Sequence, residues 1–369
     1  MRKQKLNILQ ILPSLNSGGV ERGTVEVANF LKKSGYGSFV ISAGGRLVEN
    51  LEKNGTKHFC LKIGKKSLLT FLLIPKLINF FYTNNIDIVH VRSRFPAWIV
   101  YLALKFIKKE KKPNLVTSVH GFNSVSFYSS IMLKGDKVIV VSRSLLKFLN
   151  NHYQFDKKKI HVIHRGVPKE FNIEIDKTFL AWKENFYKEF NLNYNTKILL
   201  LPVRISKHKG IEFFLDLIFA LKNKNIDVVG FIVGEAKSSS YLKKINQRIC
   251  HLDIQEKIFI PGYRSDIYNI MKISSITYSL SLLPEAFGRT VIESIRLGTP
   301  VLGFDHGGVG EQLKEIFPNG LVEVFNSQKL IKKTISYLDN RPKLKKVHSF
   351  VLEDMLKETI DVYKSFNNI

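Results

Sequence analysis

Glu285 and Glu293 stand eight residues apart in "SLLPEAFGRTVIES" (281–294), at the end of one apolar run and along the amphipathic stretch that follows it. A carboxylate in either place can accept two hydroxyl hydrogen bonds from a sugar ring. Gly288 comes just before the expected helix start at Arg289, where backbone N–H groups lack partners and can bind a hydroxyl or a phosphate. The same residues have a plainer reading, in which Glu285 caps the helix and Glu293 forms a surface ion pair with Arg289 or Arg296. Upstream, in "LPVRISKHKGIEFF", Arg204 ends an apolar run and Lys209 precedes a helix. Two cations that meet at a helix N-terminus can cradle a diphosphate without a metal. A solvated basic loop is the competing reading.

Three further groups bear on binding. "LPSLNSGGVERG" (12–23) puts Gly18-Gly19 at a strand-to-helix turn, where the backbone can approach a ligand and the helix start offers N–H groups to an anion. The spacing is not that of a GxGxxG fingerprint, and by itself the pair reads as a tight turn; "GKKS" (64–67) likewise departs from a P-loop at Lys66. His120 closes a strand in "TSVHGF", a position where a lone histidine is ordinarily a hydrogen-bonded structural residue. Arg92 and Arg94 in "VHVRSRFPAW" follow another strand; guanidinium groups suit bidentate contact with phosphate or carboxylate, and structural ion pairs are the equal alternative.

The elements that must position these residues are legible as short apolar runs alternating with amphipathic stretches. Runs at 6–12, 38–43, 58–63, 87–92, 114–121 and 137–142 read as strands, with helical patterns such as 20–34 and 96–108 between them. After "IHVIHRGVP" (160–168) comes a polar, aromatic-rich connection with no sheet strand. A second series follows at 197–204, 228–235, 258–263, 276–281, 300–305 and 321–325. Nearly continuous apolar strands separated by helices indicate parallel sheets covered on both faces. The expectation is an α/β chain of two Rossmann-like domains, 1–168 and 196–340, joined by a connection at 169–195. The active site is expected in the cleft between them, since ligands bind at the strand C-termini of such sheets. The closing amphipathic stretch, 341–369, is expected to form a C-terminal helix that packs back towards the first domain.

Bulk composition agrees and narrows the class. The 369 residues make about two domains, and 44% hydrophobic with 24% charged content is that of a globular protein. A net charge of +26 favours polyanionic partners without choosing among nucleic acid, anionic lipid and phosphate-bearing substrates. Cys60 and Cys250 have no metal-like spacing and read as buried small hydrophobes in a reducing compartment. The N-terminal apolar stretch is interrupted by Asn7, Gln10 and Pro13 and lacks a small-residue cleavage site, so it reads as a strand rather than a signal peptide. No run approaches the length of a membrane span. The chain is read as cytoplasmic, with peripheral attachment at the inner face of the cytoplasmic membrane as an extension of that reading.

"PEAFGRTVIESIRLGTPVLGFDHGGVGE" (284–311) resembles the E-x7-E block of the family 4 retaining glycosyltransferases, which have the GT-B fold of two facing Rossmann-like domains. "GGVER", "TSVHGF", "VIVVSRS", "VIHRGV" and the Arg204…Lys209-Gly pair match in order and spacing, so the resemblance spans most of the chain. It implies that Glu293 holds the ribose of a sugar nucleotide and that Glu285, with the backbone of Phe287 and Gly288, holds the transferred sugar. It implies further that Arg204 and Lys209 neutralise the diphosphate leaving group, that the Gly18-Gly19 loop closes over it, and that His120 hydrogen-bonds a hydroxyl of the reacting sugar. The mechanism it implies is front-face retention, with no cofactor and no metal; the absence of an Asp-x-Asp pair agrees. Arg92 and Arg94 are acceptor-side candidates. The expected partners are a nucleotide-sugar donor, a glycolipid or glycan acceptor of the cell envelope (lipopolysaccharide biosynthesis), and an anionic membrane surface, with no nucleic acid.

One departure stands out. Where many relatives read "NGVD", this chain has "RGVP" (165–168), which removes an acidic contact and introduces Arg165. "KKSLLTFLLIPKLINFFYTNN" (65–85) mixes lysine with Leu, Ile and Phe as an interfacial helix does, although a buried helix of the sheet explains most of that pattern. A sugar-nucleotide epimerase shares the fold, but the E-x7-E block and the "GGVER" loop argue against it. A basic nucleic-acid-binding protein lacks any recognisable recognition motif here.

Overall fold

In the computed structural model, which describes residues 6–16, 18–236 and 238–366, the apolar runs form two all-parallel sheets. Residues 1–5, at the start of the stretch read as a strand rather than a signal peptide, lie outside the described residues. The chain divides into two compact units: Met1–Arg165 with Leu352–Ile369, and Gly166–Val351.

The first unit holds β1 (Asn7–Ile11), β2 (Gly37–Ser42), β3 (Lys57–Cys60), β4 (Ile88–Val91), β5 (Asn114–Val119), β6 (Lys137–Val140) and β7 (Ile160–Val162). Their spatial order is β3-β2-β1-β4-β5-β6-β7, so the order reverses between β1 and β4. That is the doubly wound arrangement in which ligands bind beyond the strand C-termini at the reversal. Ile8, Leu9 and Ile11 are fully buried, as a parallel strand covered on both faces requires. The connections carry α1 (Gly19–Lys33), α2 (Val48–Lys53), α3 (Ile74–Thr83), α4 (Arg94–Lys105), α5 (Phe127–Ser130) and α6 (Arg143–His152), with a 3-10 helix at Leu68–Leu73. Ser142 caps α6 by accepting from the Leu145 N–H, satisfying one of the donors that a helix start leaves over.

The second unit repeats the plan. Strands β8 (Lys197–Pro202), β9 (Val228–Val233), β10 (Ile258–Gly262), β11 (Ile276–Ser279), β12 (Val301–Phe304) and β13 (Leu321–Val322) lie in the order β10-β9-β8-β11-β12-β13. The reversal falls between β8 and β11. Helices α7 (Lys177–Glu189), α8 (Ile211–Lys222), α9 (Ser239–His251), α10 (Ile267–Ile273), α11 (Arg289–Arg296), α12 (Gly307–Ile316) and α13 (Ser327–Asp339) cover the sheet. Within the aromatic connection, α7 stacks Trp182 on Phe186, and Phe186 packs on Phe231 of β9 at 5.3 Å.

Among its described residues, the closing amphipathic stretch is helical over α14, Leu352–Lys364. Pro342 disfavours helical geometry in the residue before it, and Phe350 has a φ of 57°. Met355, Leu356, Ile360, Val362 and Tyr363 of α14 join the core formed by Leu6, Ile8, Val27, Leu31 and Ile88 of the first unit. The two cysteines are not buried. Both are exposed free thiols, because β3 is an edge strand and Cys250 lies off the Tyr241–Ile245–Ile249 face by which α9 packs.

Candidate active site

In the second unit the loops after β8 and β11 meet. Lys209 Nζ donates to Glu285 Oε1 at 2.6 Å, and Ser281 Oγ donates to the same oxygen. No donor among the described residues reaches Glu285 Oε2. Burial by itself would raise the Glu285 carboxyl, but Lys209, Ser281 and Arg204 outweigh it and hold its pKa below the ordinary value. Arg204 follows β8, is exposed, and makes no side-chain hydrogen bond among the described residues.

Backbone geometry draws the two loops together. Gly210, the N-cap of α8, has a φ of 69°, and a side chain there would overlap the Leu280 carbonyl oxygen at the end of β11. Only glycine allows that approach. The Leu282 N–H then donates to the His208 carbonyl at 2.9 Å.

Gly288 caps α11 with a φ of 83° and no side-chain cap. Glu285 therefore does not cap the helix, and the first N–H groups of α11 have no side-chain acceptor at the cap. Glu293, one turn in, is buried and accepts from Tyr268 Oη at 3.0 Å and from Arg289 Nε at 3.2 Å. It is thus not the surface carboxylate that its helical position suggested: its ion pair with Arg289 exists, but inside the protein.

Several residues that support this edge escaped the sequence reading. Gln312 Nε2 donates to the carbonyls of Phe287, Gly288 and Gly308, which fixes the "AFG" turn. His306 Nε2 donates to the Ser281 carbonyl at 2.7 Å. The Gly308 N–H donates to the Glu285 carbonyl at 2.7 Å, with Gly307 and Gly308 passing too close to residues 285–287 for any side chain. The paired glycines in "DHGGVGE" were the available signal; Gln312 left none.

In the first unit, Gly18 caps α1 and Gly19 is its first residue, with open space where a Gly19 side chain would project. Behind them lies a buried polar layer. Arg92 is 4% exposed and donates through Nε to Gln10 Oε1 at 3.0 Å, while Gln10 Nε2 donates to the Thr24 carbonyl at 3.0 Å. Arg92, an acceptor-side candidate, is therefore buried inside the unit. Arg94 donates to Ser129 Oγ at 2.9 Å and lies over the Tyr128 ring.

His120 is half-buried at the end of β5, and Arg165 Nη2 donates to its ring, 3.2 Å from Nδ1. Burial first, then Arg165 and Arg92, hold its pKa well below the ordinary value, so it is a neutral imidazole. His90 bridges Ser118 and Tyr363 of α14, and the same causes, burial foremost, keep it neutral. The Arg165 guanidinium also packs on α1 at Gly23, where a side chain would come within 2.7 Å of it. Among the described residues no group of three or more His, Cys, Asp or Glu is arranged to hold a metal ion, and no helix is long and apolar enough to cross a membrane.

The family model for glycosyl transferases group 1 matches residues 183–350, and that for glycosyltransferase family 4 matches 17–171. The crystal structure of a glycosyltransferase from Rickettsia africae ESF-5 is 34% identical, covering 99% of this chain and 100% of its own, with a TM-score of 0.85. The chain belongs to the glycosyltransferases. The GT-B fold of this glycosyltransferase is shared with Anabaena HepE, solved in complex with UDP and glucose, at 18% identity over 99% of this chain and 100% of that one, TM-score 0.81. Among curated relatives, the UDP-Gal:alpha-D-GlcNAc-diphosphoundecaprenol alpha-1,3-galactosyltransferase of Escherichia coli is 23% identical to it over 92% of this chain and 89% of its own length. O-antigen biosynthesis glycosyltransferases of the same organism match as well.

Proposed function

We propose that this glycosyltransferase is a metal-independent, retaining hexosyltransferase that moves a sugar from a nucleoside diphosphate sugar to a glycan or glycolipid of the cell envelope. The observation that carries this reading is the group Arg204, Lys209 and Glu285 at the strand-order reversal of the second unit. One carboxylate oxygen there is held and the other is open to a sugar hydroxyl, beside the Arg204 guanidinium, which makes no side-chain hydrogen bond among the described residues.

In this reading Glu293 accepts from the ribose, and Glu285 Oε2 with the Phe287–Gly288 backbone orients the transferred sugar. As the bond from the anomeric carbon to the β-phosphate oxygen breaks, its electron pair passes to the diphosphate, whose charge Arg204 and Lys209 stabilise. The acceptor oxygen bonds the same face of the anomeric carbon, and its proton goes to the departing phosphate. Neutral His120 hydrogen-bonds a hydroxyl, and the Gly18-Gly19 loop covers the diphosphate. A nucleoside diphosphate is a good leaving group, so no glycosidase-type acid is needed. The acceptor class is supported by the lipid-diphosphate acceptor named for the Escherichia coli relative.

The test is a panel of UDP-, GDP- and ADP-sugars scored by thermal stabilisation, since a ligand that binds only the folded state raises Tm. Turnover with the stabilising donor, in EDTA and with the product anomer read by NMR, completes it. The expected result is one stabilising nucleotide series, activity in EDTA and a retained anomer. Full dependence on an added divalent ion, or an inverted product, would overturn the corresponding part.

A further inference from the structure

The 3-10 helix Leu68–Leu73 turns its apolar side chains outward. Leu68, Leu69 and Leu72 are 86%, 73% and 70% exposed, while Thr70 is buried and donates to the Lys65 carbonyl. Residues three apart in such a helix eclipse one another, so Leu69 and Leu72 present a single ridge. Phe71 meets Phe95 of α4 edge-on at 6.3 Å. Farther along α4, Trp98 packs at 5.3 Å on Phe127 of α5, which is 78% exposed. Lys66, just before the leucines, lies over the ring of Tyr128, also on α5. The 3-10 helix, α4 and α5 therefore share one face of the first unit.

The apolar leucines are flanked in sequence by exposed Lys65, Lys66 and Lys76, and Lys66 reaches the ring of Tyr128 on the same face. Between Glu52 and Asp136 the chain has only two acidic residues, Asp87 and Glu110, against fourteen Lys and Arg. We propose that this face docks on an anionic lipid bilayer, with Leu68, Leu69, Leu72 and Phe127 entering the interface and the lysines engaging phosphate headgroups. Large exposed apolar side chains rimmed by cations mark such interfaces. A second copy of the chain fits less well, because two faces of the same positive charge would have to meet.

Position gives the docking a use, and here the inference rests on the acceptor reading above. The 3-10 helix follows β3, α4 follows β4 and α5 follows β5, so the face lies at the C-terminal edge of the sheet that also carries His120. A lipid-linked acceptor would be presented at that edge.

The experiment is co-sedimentation of the full chain with vesicles of phosphatidylglycerol and phosphatidylcholine, and with phosphatidylcholine alone, at 0.1 and 1 M salt. The wild type is expected to bind the anionic vesicles, more weakly at high salt because exposed charges are screened, and to bind the neutral ones poorly. Leu68→Ser/Leu69→Ser/Leu72→Ser, which touches only exposed positions, should keep the wild-type Tm and donor-induced stabilisation but bind at least tenfold less. Equal vesicle binding by the triple variant would overturn the proposal. So would a leucine-dependent dimer in sedimentation velocity with no vesicle binding. Leucine-dependent vesicle binding by a chain that no nucleotide sugar stabilises would support the surface and remove only the transfer reading.

Discussion

Lys209 Nζ lies 2.6 Å from Glu285 Oε1, although the residues are 76 apart in sequence. The contact exists because β8 and β11, which each residue's loop follows, are neighbours at the place where strand order reverses. Consecutive connections there leave to opposite sides, which opens the crevice that ligands use. Gly210 then lets the two loops touch.

Lys209→Ala and Arg204→Ala should each slow turnover by roughly 10²–10³-fold, the scale for losing one preorganised contact to developing charge. Single-turnover rates at saturating donor measure this. A change in donor affinity alone, with the rate intact, would mean that neither cation acts on the transition state.

The same pair sets a pH effect on stability. The Glu285 carboxyl is held below its ordinary 4.5, so the pair's contribution is fully present above that value and is lost as pH falls through the lowered one. Lys209→Ala should remove that stabilisation above pH 4.5 and flatten the acid limb between the two values. Tm measured from pH 3 to 7 on both proteins decides it.

Glu293→Gln should weaken donor binding while keeping shape and the Tyr268 hydrogen bond. Glu293→Ala should in addition destabilise the protein, because it removes a buried carboxylate to which Tyr268 and Arg289 both donate. Calorimetry with the stabilising nucleotide sugar separates the effects. Wild-type affinity in Glu293→Gln would remove the ribose assignment.

Gln312→Leu should cost about 1 kcal/mol, the scale of one lost hydrogen bond, here chiefly that to the Phe287 carbonyl, and should raise the donor KM by loosening the Phe287–Gly288 turn. Denaturant unfolding and steady-state kinetics on one preparation test both. A normal KM with lowered stability would make Gln312 a purely structural residue.

His90 and His120 are neutral in the folded chain, with pKa values well below 6.5. The unfolded chain binds their protons as pH drops below about 6.5, so folding stability should fall there, by up to about 1.4 kcal/mol per pH unit for each histidine. Arg165→Ala should raise the His120 pKa. Imidazole proton shifts followed by NMR should show both rings of the wild type titrating below the free imidazole, and the His120 ring of Arg165→Ala titrating above its wild-type position.

What the sequence determined is what local pattern determines. Apolar runs of strand length separated by amphipathic stretches specify parallel strands buried on both faces, and both sheets followed from them. Gly288 before Arg289 marked the start of α11, and the spacing of Glu285 and Glu293 put one on the loop and the other a turn into the helix. Tertiary structure decided which charges are inside. Period and spacing state which face a residue occupies, but not whether another element covers that face. Glu293 is buried because Tyr268 reaches it from α10. Arg92, just past the end of β4, is buried against the neighbouring strand β1, where Gln10 accepts from it. The Arg165–His120 contact and the Gln312 hold on Phe287 join residues 45 and 25 apart. Partners brought together by strand order leave no periodicity in the chain; only the folded sheet places them.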